Sequence, residues 1–221
     1  MARASAHGAR LAVFDLDGTL TRHDTLLPYV LGYLRRHPWR LVRLPAMLIP
    51  LVRYLFDFNR GAIKGSFIHV TLGGAARSSL QRWSEQFVRR LLQSGLHIEA
   101  HPTLERHRRA GDRLLLMSAS TDLYVPQIAA ALGFDECICT QVRWRADERL
   151  DGRLAGANCQ GEEKRRRLEA VLERDTPAAV SAYGNSRGDL AHMRLAQAAY
   201  LINGGPCVRT EAKAVQRLRW H

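Results

Sequence analysis

Apolar and polar positions follow two rhythms along the chain. Short continuous apolar runs read as strands buried on both faces: LAVF (11–14), RLLLM (113–117), CICTQV (137–142), AAVSAY (178–183) and AAYLI (198–202). Residues 102–110, 122–133, 161–174 and 188–197 carry helical patterns between them. Strands alternating with helices predict a Rossmann-like α/β fold, a parallel sheet with helices on both faces.

Residues 24–95 break this alternation with a long, mostly helical pattern. Within it, SSLQRWSEQFVRRLLQSGL sets Leu80, Trp83, Phe87 and Leu91 at helical spacing, an amphipathic helix. The expected organisation is an α/β core from 1–23 and 96–221, with 24–95 inserted after the first strand as a helical cap over the sheet's carboxyl edge.

Charge sharpens this picture. The net charge is +12. Residues 24–95 hold eleven Lys and Arg against three acids (Asp24, Asp57, Glu85), so +8 of the excess lies in the cap. Such a field favours anionic partners: phosphorylated small molecules, acidic lipid headgroups or nucleic acid. Aromatic content is only 7% and no nucleic-acid motif appears, so nucleic acid is not an expected partner. A non-catalytic binder of anionic membrane or nucleic acid is the alternative from another class.

The most apolar part of the cap, LVRLPAMLIPLVRYLF (41–56), has an uncharged run only from Leu44 to Val52, broken by Pro45 and Pro50. A spanning helix needs ~20 apolar residues, so this one does not span. It reads either as a buried cap helix or as an interfacial helix with Arg36, Arg40 and Arg43 on one face. The N-terminal segment carries no secretory pattern. The four cysteines (Cys137, Cys139, Cys159, Cys207) lack ligand-pair spacing and read as reduced residues of a cytoplasmic protein. Peripheral contact at the inner face of the membrane accompanies the interfacial alternative, and oligomeric state is not legible.

The candidate chemistry begins where the first strand ends. DLDGT places Asp15 and Asp17 two residues apart at the strand's carboxyl end, where open α/β sheets bind ligands. Two acids so placed cannot both be buried without a compensating cation. Three further stretches follow in order. RLLLMSAS ends a strand at Ser118, GEEKRRRL carries Lys164, and AYGNSRGDLAHM carries Asn185 and Asp189.

These four motifs resemble those of the haloacid dehalogenase superfamily, in its subfamily IB, the phosphoserine-phosphatase-like branch with a helical C1 cap. The resemblance implies a Mg²⁺-dependent phosphomonoester hydrolase working through an aspartyl-phosphate. Asp15 is then the nucleophile and Asp17 the general acid/base, with Ser118, Lys164, Gly18 and Thr19 binding phosphate. Asp15, Asp17 (through its backbone carbonyl), Asn185 and Asp189 would hold Mg²⁺.

The chain departs from the branch at several points. Asn185 stands where an aspartate is usual, which removes a charge and weakens metal binding. Asp24 falls where phosphoserine-specific relatives carry a glutamate, and it also reads as a helix cap. Their cap arginine falls near Ile68, with Lys64 one turn away, so phosphoserine is not the expected substrate. A lipid phosphate is an alternative, since the branch includes a phosphatidylglycerophosphate phosphatase. His97 and His101 in HIEAH read as a loop or helix start, Arg165, Arg166 and Arg167 as solvated surface, and His192 has no assigned role.

Overall fold

The computed structural model describes residues 8–57, 60–205 and 215–221. Its centre is a six-stranded sheet in the order β3-β2-β1-β6-β7-β8, parallel throughout. The strands are β1 (Leu11–Phe14), β2 (Arg113–Thr121), β3 (Glu136–Thr140), β6 (Val180–Gly184), β7 (Ala198–Ile202) and β8 (Val215–Leu218). β1 is buried along its whole length between β2 and β6, as its unbroken apolar run requires. Helices α5 (Ala100–Arg109), α6 (Val125–Ala131), α7 (Glu162–Asp175) and α8 (Arg187–Met193) connect the strands. Two apolar clusters form, with Phe14 and Leu116 in one and Val13, Leu115 and Leu168 in the other. Neighbouring residues of one strand thus supply opposite faces of the sheet.

The run read as one strand over 137–142 divides in two. β3 ends at Thr140, and Val142–Trp144 (β4) pairs antiparallel with Leu150–Leu154 (β5) in a separate hairpin. Gly152 on β5 has φ +88°, and a Cβ there would lie 2.5 Å from the His69 Cα. A glycine is needed for this approach to the helix that carries His69.

Between β1 and β2 the chain forms α1 (Leu26–Arg36), 3₁₀ turns over Pro38–Met47, α2 (Leu48–Asp57), α3 (Arg60–Leu72) and α4 (Arg77–Ser94). Tyr29, Val30, Tyr33 and Leu34 of α1, Ile68 and Leu72 of α3, and Leu80, Trp83 and Val88 of α4 are buried in a common core. Of the helical positions read from the sequence, Leu80 and Trp83 are buried, with Phe87 and Leu91 packed against the same cluster.

The 41–56 stretch is not a buried helix. It divides into 3₁₀ turns that contain Pro45 and α2 with Pro50 in its first turn, and Val42, Ile49 and Phe56 are 79%, 72% and 79% exposed. Nor do its neighbouring arginines project away from the protein. Arg36 donates to Gln86 and lies over the Trp83 ring. Arg40 donates to the carbonyls of Thr71 and Gly73, and Arg43 to that of Gly73. The Arg40 and Arg43 guanidinium groups serve carbonyls at the end of α3, where helical partners run out. Among the described residues, no helix is long and apolar enough to cross a membrane. Cys139 and Cys159 are buried and Cys137 half-buried, while Cys207 lies outside the described residues.

Candidate active site

The site is built where β1 ends. Asp15 leaves the sheet with its N–H donating to the Tyr183 carbonyl, and it is 5% exposed. The chain then wraps around one carbonyl: the N–H groups of Thr19, Leu20 and Thr21 all donate to Leu16 O. Gly18 makes this turn at φ +77°, and a Cβ there would lie 2.0 Å from Asn185 Nδ2. Glycine is required twice over, for the backbone and for the neighbour.

Asp15 is gripped at both oxygens. Lys164 Nζ donates to Oδ1 at 2.5 Å, and Thr19 Oγ1 donates to Oδ2 at 2.9 Å. Lys164, 1% exposed, also donates to Asp189 Oδ1 at 2.7 Å. Burial alone would lower Lys164, but the Asp15 and Asp189 carboxylates override it and hold the ammonium well above its ordinary value. Burial, reinforced by Asp189 and Asp17 against the pull of Lys164, pushes Asp15 up to about 7. Asp189 is held down to about 2, because Lys164 and the Ser186 hydroxyl outweigh its burial.

Asp189 has a second task. Its Oδ2 accepts from Ser186 Oγ and from the N–H groups of Ser186 and Asn185, a capping box at the start of α8. Gly184, just before, permits this packing, since a Cβ there would lie 2.5 Å from the Asp189 Cβ. Asn185 is half-buried and faces the pocket against Gly18. His192 is fully buried beside this centre, and burial and Lys164 push it down to about 3.

The Asp17 side chain turns toward the cap. Its Oδ1 accepts from the Thr25 N–H at 2.7 Å and the Thr25 hydroxyl at 2.6 Å. Its Oδ2 accepts from Ser120 Oγ at 2.6 Å and Ser118 Oγ at 3.3 Å. Tyr124 completes the chain through its hydroxyl to Thr25 Oγ1. Burial raises Asp17 above the ordinary carboxylate range despite these donors.

Ser120 and Thr25 were not singled out in the sequence. Ser120 lies two residues after Ser118 and so shares its side of an extended strand. A register shift between Ser118 and Thr121 in the β2–β3 pairing marks the same place. Ser118 itself is fully buried, whereas Ser120 lines the pocket.

Above these groups lies a hollow of about 520 Å³, bounded by Asp15, Asp17, Lys64, Lys164 and Asn185. Lys64, from α3, donates to the Ala119 carbonyl and to Asn158 Oδ1, both at 2.9 Å. Burial lowers its ammonium below the ordinary value. Asp24 stands at the rim and accepts from the Leu26 and Leu27 N–H groups, capping α1. Ile68 is fully buried in the cap core. His97 is buried against Trp220, and His101 sits in the first turn of α5. Arg165 and Arg166 are exposed, but Arg167 is half-buried and ties the Cys139 and Ala157 carbonyls to α7.

Fold and site together define a parallel α/β sheet that gathers the carboxylates of Asp15, Asp17 and Asp189 and a buried lysine from α7 beyond its carboxyl edge. The chain belongs to the haloacid dehalogenase-like hydrolase family, whose profile matches residues 12–194. It is 32% identical over 190 residues to protein CicA of Caulobacter vibrioides, covering 86% of this chain and 84% of that one. A histidinol-phosphatase of Neisseria meningitidis serogroup C is 23% identical over 220 residues, covering 92% and 94%. Among solved structures, a Bordetella pertussis Tohama I protein of unknown function superposes with TM-score 0.77 at 24% identity, covering 94% and 98%. A phosphoserine phosphatase in a phospho-aspartyl analogue form shares the fold with TM-score 0.67 at 16% identity, covering 94% and 93%.

Proposed function

We propose that this hydrolase cleaves phosphate monoesters through a phosphoryl-enzyme intermediate on Asp15. The observation that carries the reading is the doubly held Asp15 carboxylate, fixed by Lys164 and Thr19 at the floor of a polar pocket. A carboxylate so oriented is prepared to attack an atom arriving from the pocket. The histidinol-phosphatase and phosphoserine phosphatase relatives support the choice of phosphorus as that atom.

In this reading Asp15 attacks phosphorus, the bond to the leaving oxygen breaks, and Asp17 gives that oxygen its proton. Water then attacks phosphorus while Asp17 takes a proton from it. The bond to Asp15 breaks and inorganic phosphate leaves. Burial favours the protonated form of Asp17, which supports its role as the acid. Its hydroxyl partners on Thr25, Ser118 and Ser120 can rotate, so they can serve either protonation state. Lys164 offsets charge on Asp15 and on the phosphoryl oxygens, and Gly18 and Ser120, which line the pocket, complete the phosphate cradle, with Ser118 and Thr19 behind them holding Asp17 and Asp15.

The donor set fits Mg²⁺. The Asp15 carboxylate, the Asp17 main-chain carbonyl and the Asn185 amide oxygen are hard oxygen donors. The buried carboxylates of Asp15 and Asp189 meet one cation, Lys164. When bound, Mg²⁺ would neutralise charge on the transferring phosphoryl group. Asp189 enters as the anchor of Lys164 and the cap of α8. The same reading divides the chain into a core (1–23 and 96–221) and a cap (24–95) that brings Lys64 to the substrate.

The test is hydrolysis of para-nitrophenyl phosphate with Mg²⁺ and with a chelator. Turnover should require the metal, and Lys164→Met should reduce kcat/KM by about 100-fold or more. No Mg²⁺-dependent turnover of this ester or of a panel of phosphorylated metabolites and lipid phosphates would overturn the proposal.

A further inference from the structure

Beside the catalytic pocket lies a second, larger hollow of about 860 Å³. One wall is the chain from Ala46 to Pro50, a second is α3 from Gly61 to Val70, and the third runs from Arg153 to Asn158. Ile49, Pro50, Ala62, Val70 and Leu154 make much of its lining apolar. A smaller hollow shares Ile49, Pro50, Ala62 and Ser66 with it and extends to Arg53.

Only a thin polar partition separates this groove from the reaction centre. Lys64 Nζ bounds the catalytic pocket and donates to Asn158 Oδ1, while Asn158 bounds the groove. Asn158 Nδ2 in turn donates to Gln160, which again faces the catalytic pocket. A ligand with its phosphate at Asp15 therefore has the groove just beyond Lys64 and Asn158.

The outer wall of the groove is unusual for a surface exposed to water. From Trp39 to Phe56, ten large apolar residues are exposed, among them Leu48 at 65%, Ile49 at 72% and Val52 at 53%. Residues 25–56 contain no acid and five arginines. So many exposed apolar side chains gathered in one segment mark a place where another apolar group binds. Here the segment rims a groove that adjoins the polar pocket across the Lys64–Asn158 contact, and its charge suits an anionic amphiphile.

Resting on the phosphomonoesterase reading above, we propose that the groove holds the hydrocarbon chain of the substrate, a lipid phosphomonoester whose phosphate reaches Asp15. Polar and apolar ends of such a molecule match the two hollows in order. A small soluble phosphate ester would fill the polar pocket and leave the groove unused.

The experiment compares glycerol 3-phosphate with its hexanoyl, decanoyl and myristoyl monoesters, kept below micelle formation, and with para-nitrophenyl phosphate. Calorimetry of butyl-, octyl- and dodecylphosphonate supplies a readout independent of turnover. Each methylene that enters the groove should raise kcat/KM about fourfold, so the decanoyl ester should exceed the hexanoyl by about 100-fold or more. Two variants obstruct the groove without touching the reaction centre. A side chain at Gly156 meets open space, so Gly156→Phe fills the groove, and Ile49→Asp places a charge on its exposed wall. Each should lower kcat/KM for the decanoyl ester by about tenfold or more while leaving para-nitrophenyl phosphate within about twofold.

Chain-length dependence lost selectively in these variants establishes the groove as the chain site. Rates and phosphonate affinities independent of chain length overturn it, as does an equal loss on both substrate types in the variants. If no ester is hydrolysed, the phosphomonoesterase reading fails by itself. The groove then stands on phosphonate affinity that rises with chain length and is lost in Gly156→Phe, and it falls if that rise is absent.

Discussion

Gly18 is the residue on which the two halves of the site depend, and Gly18→Ala gives the sharpest structural prediction. The backbone there is left-handed at φ +77°, and the new methyl would stand 2.0 Å from Asn185 Nδ2. The left-handed conformation costs alanine about 1–2 kcal/mol. Forcing the methyl into an occupied place adds about 1–3 kcal/mol. The sum, near ~3 kcal/mol, should lower Tm by roughly 6–12 °C in a chain of this size. Because the methyl displaces the Asn185 amide, the Mg²⁺ concentration for half-maximal activity should rise as well. Asn185→Gly in the Gly18→Ala background removes the collision but not the backbone strain. Calorimetric melting of the four proteins in this cycle separates the two contributions. The double variant should recover more than half of the lost Tm. A Gly18→Ala melting point within about 1 °C of the parent would refute the strain and contact argument together.

Two further predictions follow from the same geometry. Asn185→Asp supplies a charged oxygen in place of the amide and should lower the half-saturating Mg²⁺ concentration by about tenfold or more, read from activity against metal concentration; an unchanged value would put residue 185 outside the metal's ligands. Replacing Arg40 and Arg43 together by Gln removes the charged donors to the Thr71 and Gly73 carbonyls and should cost about 1–3 kcal/mol, seen as a lower Tm, whereas an unchanged Tm would mean that these bonds add nothing to the cap.

The legible parts of the molecule are those where local pattern and chemistry coincide. The LAVF run needs burial on both faces, and the acid that ends it has to emerge at the sheet's carboxyl edge, so Asp15 could be located from order alone. Lys164 was legible only through its place in the series of motifs, since nothing local distinguishes it from the arginines that follow. Ser120 and Thr25 were not legible because they meet Asp17 through the fold, across 103 and 8 residues of chain. The β4–β5 hairpin escaped for a different reason: one of its strands has three residues, too few to show a period. The 41–56 stretch shows the limit of hydrophobic pattern most clearly. Its apolar spacing says that something apolar packs there, but not whether that partner belongs to the chain. The arginines beside it could be read as surface anchors, but Arg40 and Arg43 serve carbonyls at the end of α3 and Arg36 meets Gln86 and Trp83.

The central claim is that the phosphoryl group passes through Asp15. Its most direct measurement is rapid acid quenching during turnover of para-nitrophenyl phosphate, followed by mass spectrometry of the peptides that contain residues 11–22 and 114–121. The account predicts one phosphoryl group on Asp15 in the parent protein, labile to hydroxylamine, and none in Asp15→Asn, which should also have lost turnover. A phosphoryl group on Ser118 or Ser120, or sustained turnover in Asp15→Asn, would contradict it.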